Sequence, residues 1–458
     1  MEKYFEILNY YIGLYNEYVG GYLIVSFLVP IGLYFSIRTG FLQIRKFGHA
    51  WAVTFGKYDN PLDKGDVKHF KALSSALAST VGTGNIVGVS LAICLGGPGA
   101  LFWIWVTGLL GMMLKMVECT LALKYRIFNE DGTVSGGPMY YIEKGLKKYI
   151  GNRAKILAII FSFALILCSF GTGNLAQANG ISDVMNSIFG IPKYLTGIFL
   201  SIVVLVIIIG GLKRIAELAS RLVPLMAIIY LFSTFVILIS EYDKILDTFY
   251  FVIKSGISGT EAYGAFGGAT LFWTIVWGVR RGLFSNEAGQ GSAPIVHAAA
   301  KTKIPLREGL VASLEPFIDT ICICTATALV VIITGAWHSG ILGVNMTINA
   351  FNIGFANLGL PPIADKIVGL SLFFFAFTTI IGWSYYGSRG IQYIFGYKYI
   401  KPFYFVYAFF TFLGCIWSIK LVWNFVDMVI TFMTIPNLIA LLFLFKEFLK
   451  EVENYSSK

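Results

Sequence analysis

Apolar residues gather in runs of about 20 along the whole chain, each long enough as a helix to cross roughly 30 Å of hydrocarbon. Short polar segments separate them. Eleven spans are predicted: a, 15–37; b, 72–95; c, 98–126; d, 153–188; e, 193–211; f, 215–240; g, 262–296; h, 305–335; i, 364–389; j, 401–419; and k, 421–446. Span a has neither a basic leading region nor a small-residue cleavage site, so it reads as a retained helix. Two spans break the pattern at mid-depth. Span b carries Ser79-Thr80-Val81-Gly82-Thr83-Gly84-Asn85, and span g runs from Trp273 to Gly291 through glycines, two arginines, Asn286 and Glu287.

These are the second and seventh spans, so five spans separate them, and they cross in opposite directions. Broken helices at matching places in two oppositely oriented halves point to an inverted repeat with its binding site between the halves. The expected fold is an all-α polytopic membrane protein of eleven transmembrane helices. Its inverted 5+5 core covers 72–240 and 262–446, the helix at 15–37 is extra, and 1–458 form one domain. The cytoplasmic segment 38–71, with seven basic residues, is expected along the membrane surface, and 337–362 as a lid over one mouth.

Composition agrees. Hydrophobic residues make up 57% of the chain and charged residues only 13%, against about 25% charged in soluble domains. The net charge of +10 points to nucleic acid until its distribution is followed. Of 35 Lys and Arg, with those towards a span end assigned to the side they adjoin, 26 fall on one side, six on the other and three lie within spans. The excess is therefore a topology signal, with the N-terminus outside, the C-terminus cytoplasmic and the location a cell membrane. The six cysteines lack metal-ligand spacing and are expected as free thiols.

A helix broken in a bilayer leaves backbone groups unpaired at several kcal/mol each unless something fills them. The opened turns of b would offer amides at Gly82, Thr83 and Gly84 to a carboxylate, and carbonyls at Ala78 and Val81 to a cation or ammonium group. A zwitterionic amino acid together with a metal ion matches both. Close packing alone would ask for glycine but not for Ser, Thr and Asn. No HExxH, GxSxG or mid-span His suggests an enzyme, and a channel would need a continuous polar path.

STVGTGNIVGVS (79–90), GGPGALFWIW (96–105), GGLKRIAE (210–217) and LFSNEAGQGSAP (283–294) resemble the alanine/glycine:cation symporter family, whose architecture is similar to the leucine-transporter fold. The resemblance implies uptake of alanine or glycine coupled to sodium, by a chain expected to act as a monomer in the bilayer. The alternative is a proton-coupled or uncoupled carrier of another small amine or acid. The resemblance also implies roles. Gly82, Thr83 and Gly84 would hold the substrate carboxylate. The run Trp273-Thr274-Ile275-Val276-Trp277-Gly278 looks like the pattern at which the sixth core helix unwinds, so carbonyls of Trp273, Thr274 and Val276 would receive the ammonium. Sodium would bind Ala78, Val81 and Phe375 carbonyls with the Thr378 and Thr379 hydroxyls, and a second sodium set would draw on Thr80, Asn85 and Thr274.

Asn174 and Gln177 share one face of span d with Phe170 and Ile181, and are expected to reach the substrate. Trp383 lies one turn beyond Thr379, so with Trp273 and Trp277 it should restrict the pocket to small side chains. Arg280 and Arg281 need a carboxylate or water at that depth, with Glu287, Glu315 and Asp319 as expected partners. Lys115 and Glu118 are expected to neutralise each other, and His297 to be solvated near a span end.

Overall fold

The computed structural model describes residues 2–129, 132–259 and 271–456, so the predicted start of span g, 262–270, lies outside the described residues. The described chain is nearly all helix, as lipid requires: only a backbone bonded within its own segment, or a closed barrel, can cross hydrocarbon. Among the described residues, eight helices are long and apolar enough to cross a membrane, nine if one bent pair counts as a single span.

In chain order, α1 is Asn9–Arg38, and α2 (His69–Thr80) and α3 (Gly84–Gly96) form the bent pair, with 54° between them. Next come α4 (Ala100–Lys124), α5 (Arg153–Phe189), α6 (Lys193–Ile208) and α7 (Gly211–Ser240). Span g becomes α8 (Leu271–Asn286) and the short α9 (Ala293–His297). Helices α10 (Pro305–Ile333), α11 (Ala364–Phe395), α12 (Tyr397–Ile416) and α13 (Leu421–Tyr455) complete the set.

Smaller pieces decorate this frame. Segment 38–71 holds two short helices, Leu42–Arg45 and Phe47–Thr54. The stretch 337–362 contains Val344–Asn357, and Pro138–Ile150 follows a two-residue antiparallel pair. Helix Tyr242–Ser258, absent from the predicted spans, packs on the start of α4, where Trp103 donates to the Gly256 carbonyl at 2.9 Å. The six cysteines are free thiols.

Burial follows from position in the bundle. Helix α6 exposes Ile198, Phe199, Ile202 and Val206, apolar residues that suit lipid. Helices α2, α3 and α8 by contrast are almost entirely enclosed along their polar stretches, with Ser79, Thr83, Asn85, Ser285 and Asn286 at most 1% exposed. The polar residues of these three helices thus gather around the two breaks.

Candidate functional site

The break in b has a clear local cause. Val81 leaves helical geometry (φ −73°, ψ 101°), and the Gly82 amide, which would have closed a turn onto the Ala78 carbonyl, bonds Asn85 Oδ1 at 2.9 Å instead. The Thr83 amide bonds Gln177 Oε1 at 2.9 Å. Two of the three amides expected to meet a carboxylate therefore face carbonyl oxygens of side chains, acceptors of the kind a carboxylate would supply. The Thr83 and Thr172 hydroxyls are buried without a partner, which leaves polar capacity beside Gln177, whose own amide nitrogen donates to the Thr172 carbonyl at 3.1 Å.

Helix α11 closes this side. Thr379 Oγ1 lies 3.2 Å from the Val81 carbonyl and 3.0 Å from that of Phe375, while Thr378 Oγ1 is 2.9 Å from the Phe375 carbonyl. Each threonine does bond its own helix, but Thr379 also bridges to the broken one. A Cβ on Gly82 would meet both Gln177 Oε1 and Thr379 Oγ1 at 2.7 Å, so the glycine is what allows three helices to converge there. Trp383 packs on Gly173, where a Cβ would approach its own to 2.2 Å, and its indole donates to Glu287 Oε1 at 2.8 Å.

The second break lies further along than expected. Helix α8 is continuous through Trp273–Gly278 and opens only after Asn286. Glu287 is left-handed at φ 55°, a strained setting for a side chain, and Gly289 and Gly291 follow at φ 79° and 86°. Side chains fill the opened turn: Asn286 Oδ1 accepts from the Ala288 amide, Gln290 Nε2 donates to the Leu283 carbonyl, and Asn437 Nδ2 donates to the Gly289 carbonyl, at 2.9–3.0 Å. Within span g the sequence holds two copies of the pattern aromatic-hydroxyl-three residues-Gly, at 273–278 and at 284–289 (Phe284-Ser285-Asn286-Glu287-Ala288-Gly289). The structure breaks the second.

This corrects the expected ammonium-binding set. Thr274 Oγ1 donates to the Gly96 carbonyl at 2.7 Å, Trp277 packs on Gly96, Gly278 on Ala100 and Trp103, and Val276 against Gly21. Trp273 stands edge-on to Phe272. All five sit at the end of α8 remote from its break. The aromatic residues near the breaks are Phe284, against Gly84, and Trp423, 4.9 Å from Phe284, together with Trp383.

Asn174 and Gln177 also separate. A π-turn at Gly171–Leu175 adds a residue to the helical period, so the shared face is lost. Gln177 reaches the break, whereas Asn174 donates to the Tyr407 carbonyl of α12 at 2.7 Å. The second sodium set is not assembled. Thr80 bonds back to Ala76 and Leu77 within α2, and Asn85 Nδ2 meets Asp319 Oδ1 at 2.6 Å. Ser285 donates to the other Asp319 oxygen at 2.7 Å. Asp319, Ser285 and Glu287 are thus central residues that the span pattern did not bring together; the second motif copy was the signal for Ser285 and Glu287, and Asp319 had none.

Other charged residues find different partners from those expected. Arg280 and Arg281 pair with Asp427 of α13, at 3.2 and 2.6 Å. Lys115 pairs with Glu315 at 3.0 Å, and Glu118 accepts from Asn437 instead. His297 is fully buried rather than solvated, 2.5 Å from both Glu308 and Glu315.

Two broken helices facing each other across a buried polar centre, flanked by long helices, define a membrane carrier of the leucine-transporter type, not an enzyme. Solved structures agree on the fold: a crystal structure of MhsT in complex with L-phenylalanine superposes with a TM-score of 0.58 at 14% identity, covering 83% of this chain and 89% of that one. The chain belongs to the sodium:alanine symporter family, whose model matches residues 5–458. It is 40% identical to the sodium/alanine symporter AgcS of Methanococcus maripaludis, over 94% of this chain and 93% of that protein. It is 42% identical to an uncharacterized transporter of Haemophilus influenzae, over 96% and 94%. This is a multi-pass membrane protein.

Proposed function

We propose that the chain takes up alanine, and glycine with it, together with sodium, by alternating access across the cell membrane. The observation that carries this reading is the approach of Thr379 Oγ1 to the Val81 carbonyl, 3.2 Å across two helices. With Thr378, Phe375 and the Ala78 carbonyl freed by the break, it makes a set of five oxygens. A hard cation takes about six to eight such ligands in its larger forms, so substrate or water would complete the shell. The substrate carboxylate replaces Gln177 Oε1 at the Thr83 amide, joined by Gly82 and Gly84, and Gln177 then turns its amide nitrogen to the substrate. The Trp383 indole, fixed by Glu287 and Gly173, limits side-chain size.

Opening and closing are expected between the two halves, 72–240 and 262–446, with the N-terminus outside and the C-terminus inside. A single chain suffices, since both breaks come from one chain. Purified protein in liposomes should accumulate labelled alanine when sodium is higher outside, and unlabelled glycine should compete. Uptake that ignores the sodium gradient at every pH would sink the sodium reading and favour the proton-coupled or uncoupled alternative.

A further inference from the structure

Below the two breaks a chain of buried ionisable side chains links four segments of the protein. Lys115 on α4 pairs with Glu315 Oε2 at 3.0 Å, Glu315 Oε1 meets His297 Nε2 at 2.5 Å, and His297 Nδ1 meets Glu308 Oε1 at 2.5 Å. Glu308 Oε2 then meets Nδ1 of His69, the first residue of α2. His69 is 2% exposed and the other four are fully buried. None of these residues takes part in the substrate or sodium site above.

Counting protons along this chain isolates one atom. Each of the three nitrogen–carboxylate contacts needs a proton in its gap, whichever partner holds it. With those three protons and the Lys115 ammonium, the five groups together carry no net charge. That state leaves no uncompensated charge buried. Only His69 Nε2 is left with no required proton, and it faces Asp59 Oδ1 at 3.9 Å. The Asp59 side chain is 35% exposed, and it borders with His69, Thr54, Gly56 and Lys68 a cavity at the surface. Of the five residues, His69 is the one that lines this cavity, which gives protons from water a route to it.

The location gives the proton a lever. His69 begins the arm His69–Thr80, which is hinged at Val81–Gly82 and bent 54° from its continuation. Its contacts with Glu308 and Asp59 tie that arm to α10 and to segment 55–68. We propose that His69 Nε2 is a proton-binding site that latches the inner half of the first broken helix shut. Protonation puts a positive charge on the ring: it turns the Asp59 contact at 3.9 Å into an ion pair and adds attraction to the bond that the Glu308 carboxylate already accepts, so both ties of the arm tighten. The extra hold is present at low pH and is lost as pH rises and the proton leaves. Nearby charges are otherwise engaged: Lys71 pairs with Glu217 on α7, Arg126 donates to the Ala298, Ala300 and Thr302 carbonyls, Arg307 donates to the Tyr58 carbonyl, and His49 bonds Tyr455. Lys68, beside His69 at the cavity, opposes the proton, and Asp59 offsets it.

This inference rests on the symport reading, with segment 38–71 facing the cytoplasm. In proteoliposomes oriented right side out, with external pH and sodium held constant, lowering internal pH from about 8 to about 6 crosses the range in which imidazole titrates and should slow initial alanine uptake roughly threefold. His69→Asn keeps a donor toward Glu308 and cannot bind the second proton, so its uptake should not respond to internal pH. Asp59→Asn should move the response to lower pH. Hydrogen exchange of residues 69–80 in the purified protein, corrected for the intrinsic pH effect, should show protection rising on acidification in the wild type and not in His69→Asn. That readout needs no transport, so it separates the latch from the symport reading. A folded His69→Asn protein with the wild-type response in exchange would overturn the latch, as would a response to external rather than internal pH.

Discussion

In the proposed sodium site, Thr379 is the residue on which coupling should turn. Its hydroxyl already bridges α11 to the Val81 carbonyl, and a cation inserted there would gain that oxygen at no cost in rearranging the helix. Thr379→Val keeps shape and removes one ligand. Loss of a single interaction with a charged partner is worth about 1.5 kcal/mol or more, so the half-saturating sodium concentration should rise at least about tenfold while expression stays normal. A Thr378→Val, Thr379→Val double variant with wild-type sodium dependence would move the ion elsewhere. Trp383 is proposed to govern the other half of the site. Because its indole is pinned by Glu287 Oε1 and packs on Gly173, it presents a fixed wall, and an added branched side chain would overpack the site at about 1–3 kcal/mol. Leucine should therefore compete poorly with labelled alanine in the wild type. Trp383→Ala should admit it, and unchanged competition would take Trp383 out of the pocket.

Among the elements, the bent pair α2–α3 does most to shape the site. Its bend depends on Gly82 because a methyl group there would run into both Gln177 and Thr379 at 2.7 Å. Neither partner can retreat far: Gln177 is anchored to the Thr172 carbonyl and Thr379 to that of Phe375. Gly82→Ala should therefore abolish uptake by pushing α5 and α11 away from the break, while the protein still reaches the membrane. Full transport in that variant would show that the close approach of the three helices is not needed. Helix α8 makes the complementary point. Its first turns are held by Thr274 at Gly96 and its middle by Arg280 and Arg281 at Asp427, so it stays helical through Gly278. Only past Asn286, where Gly289 and Gly291 accept positive φ, can the backbone open.

The whole molecule should convert voltage into accumulation. One sodium carried inward with a neutral amino acid moves one charge, worth roughly 2.3 kcal/mol per 100 mV, and a tenfold sodium gradient adds about 1.4 kcal/mol. Together these support accumulation of roughly several hundredfold, by the rule of tenfold for each 1.4 kcal/mol. Valinomycin with an outward potassium gradient should accelerate alanine uptake in liposomes, and indifference to the imposed voltage would exclude one net charge per cycle.

The sequence alone determined the membrane class, the long helices, the break at 79–85 and the pairing of two interrupted segments. Each depends on composition within a short stretch: apolar length sets a span, and clustered Gly, Ser and Thr unseat a helix. It also brought Gln177, Thr378 and Thr379 into view, because isolated polar residues at mid-span demand partners. The tertiary structure decided which of two similar motifs opens. Phe284–Gly289 and Trp273–Gly278 have the same local pattern, and only the packing of Thr274 on Gly96 and the filling of the opened turn by Asn286, Gln290 and Asn437 tell them apart. Partners of buried charges were decided the same way. Asp427 is about 150 residues from Arg281, and Glu308 lies 239 from His69; which distant carboxylate neutralises a buried cation depends on how the helices assemble, and no spacing along the chain encodes it.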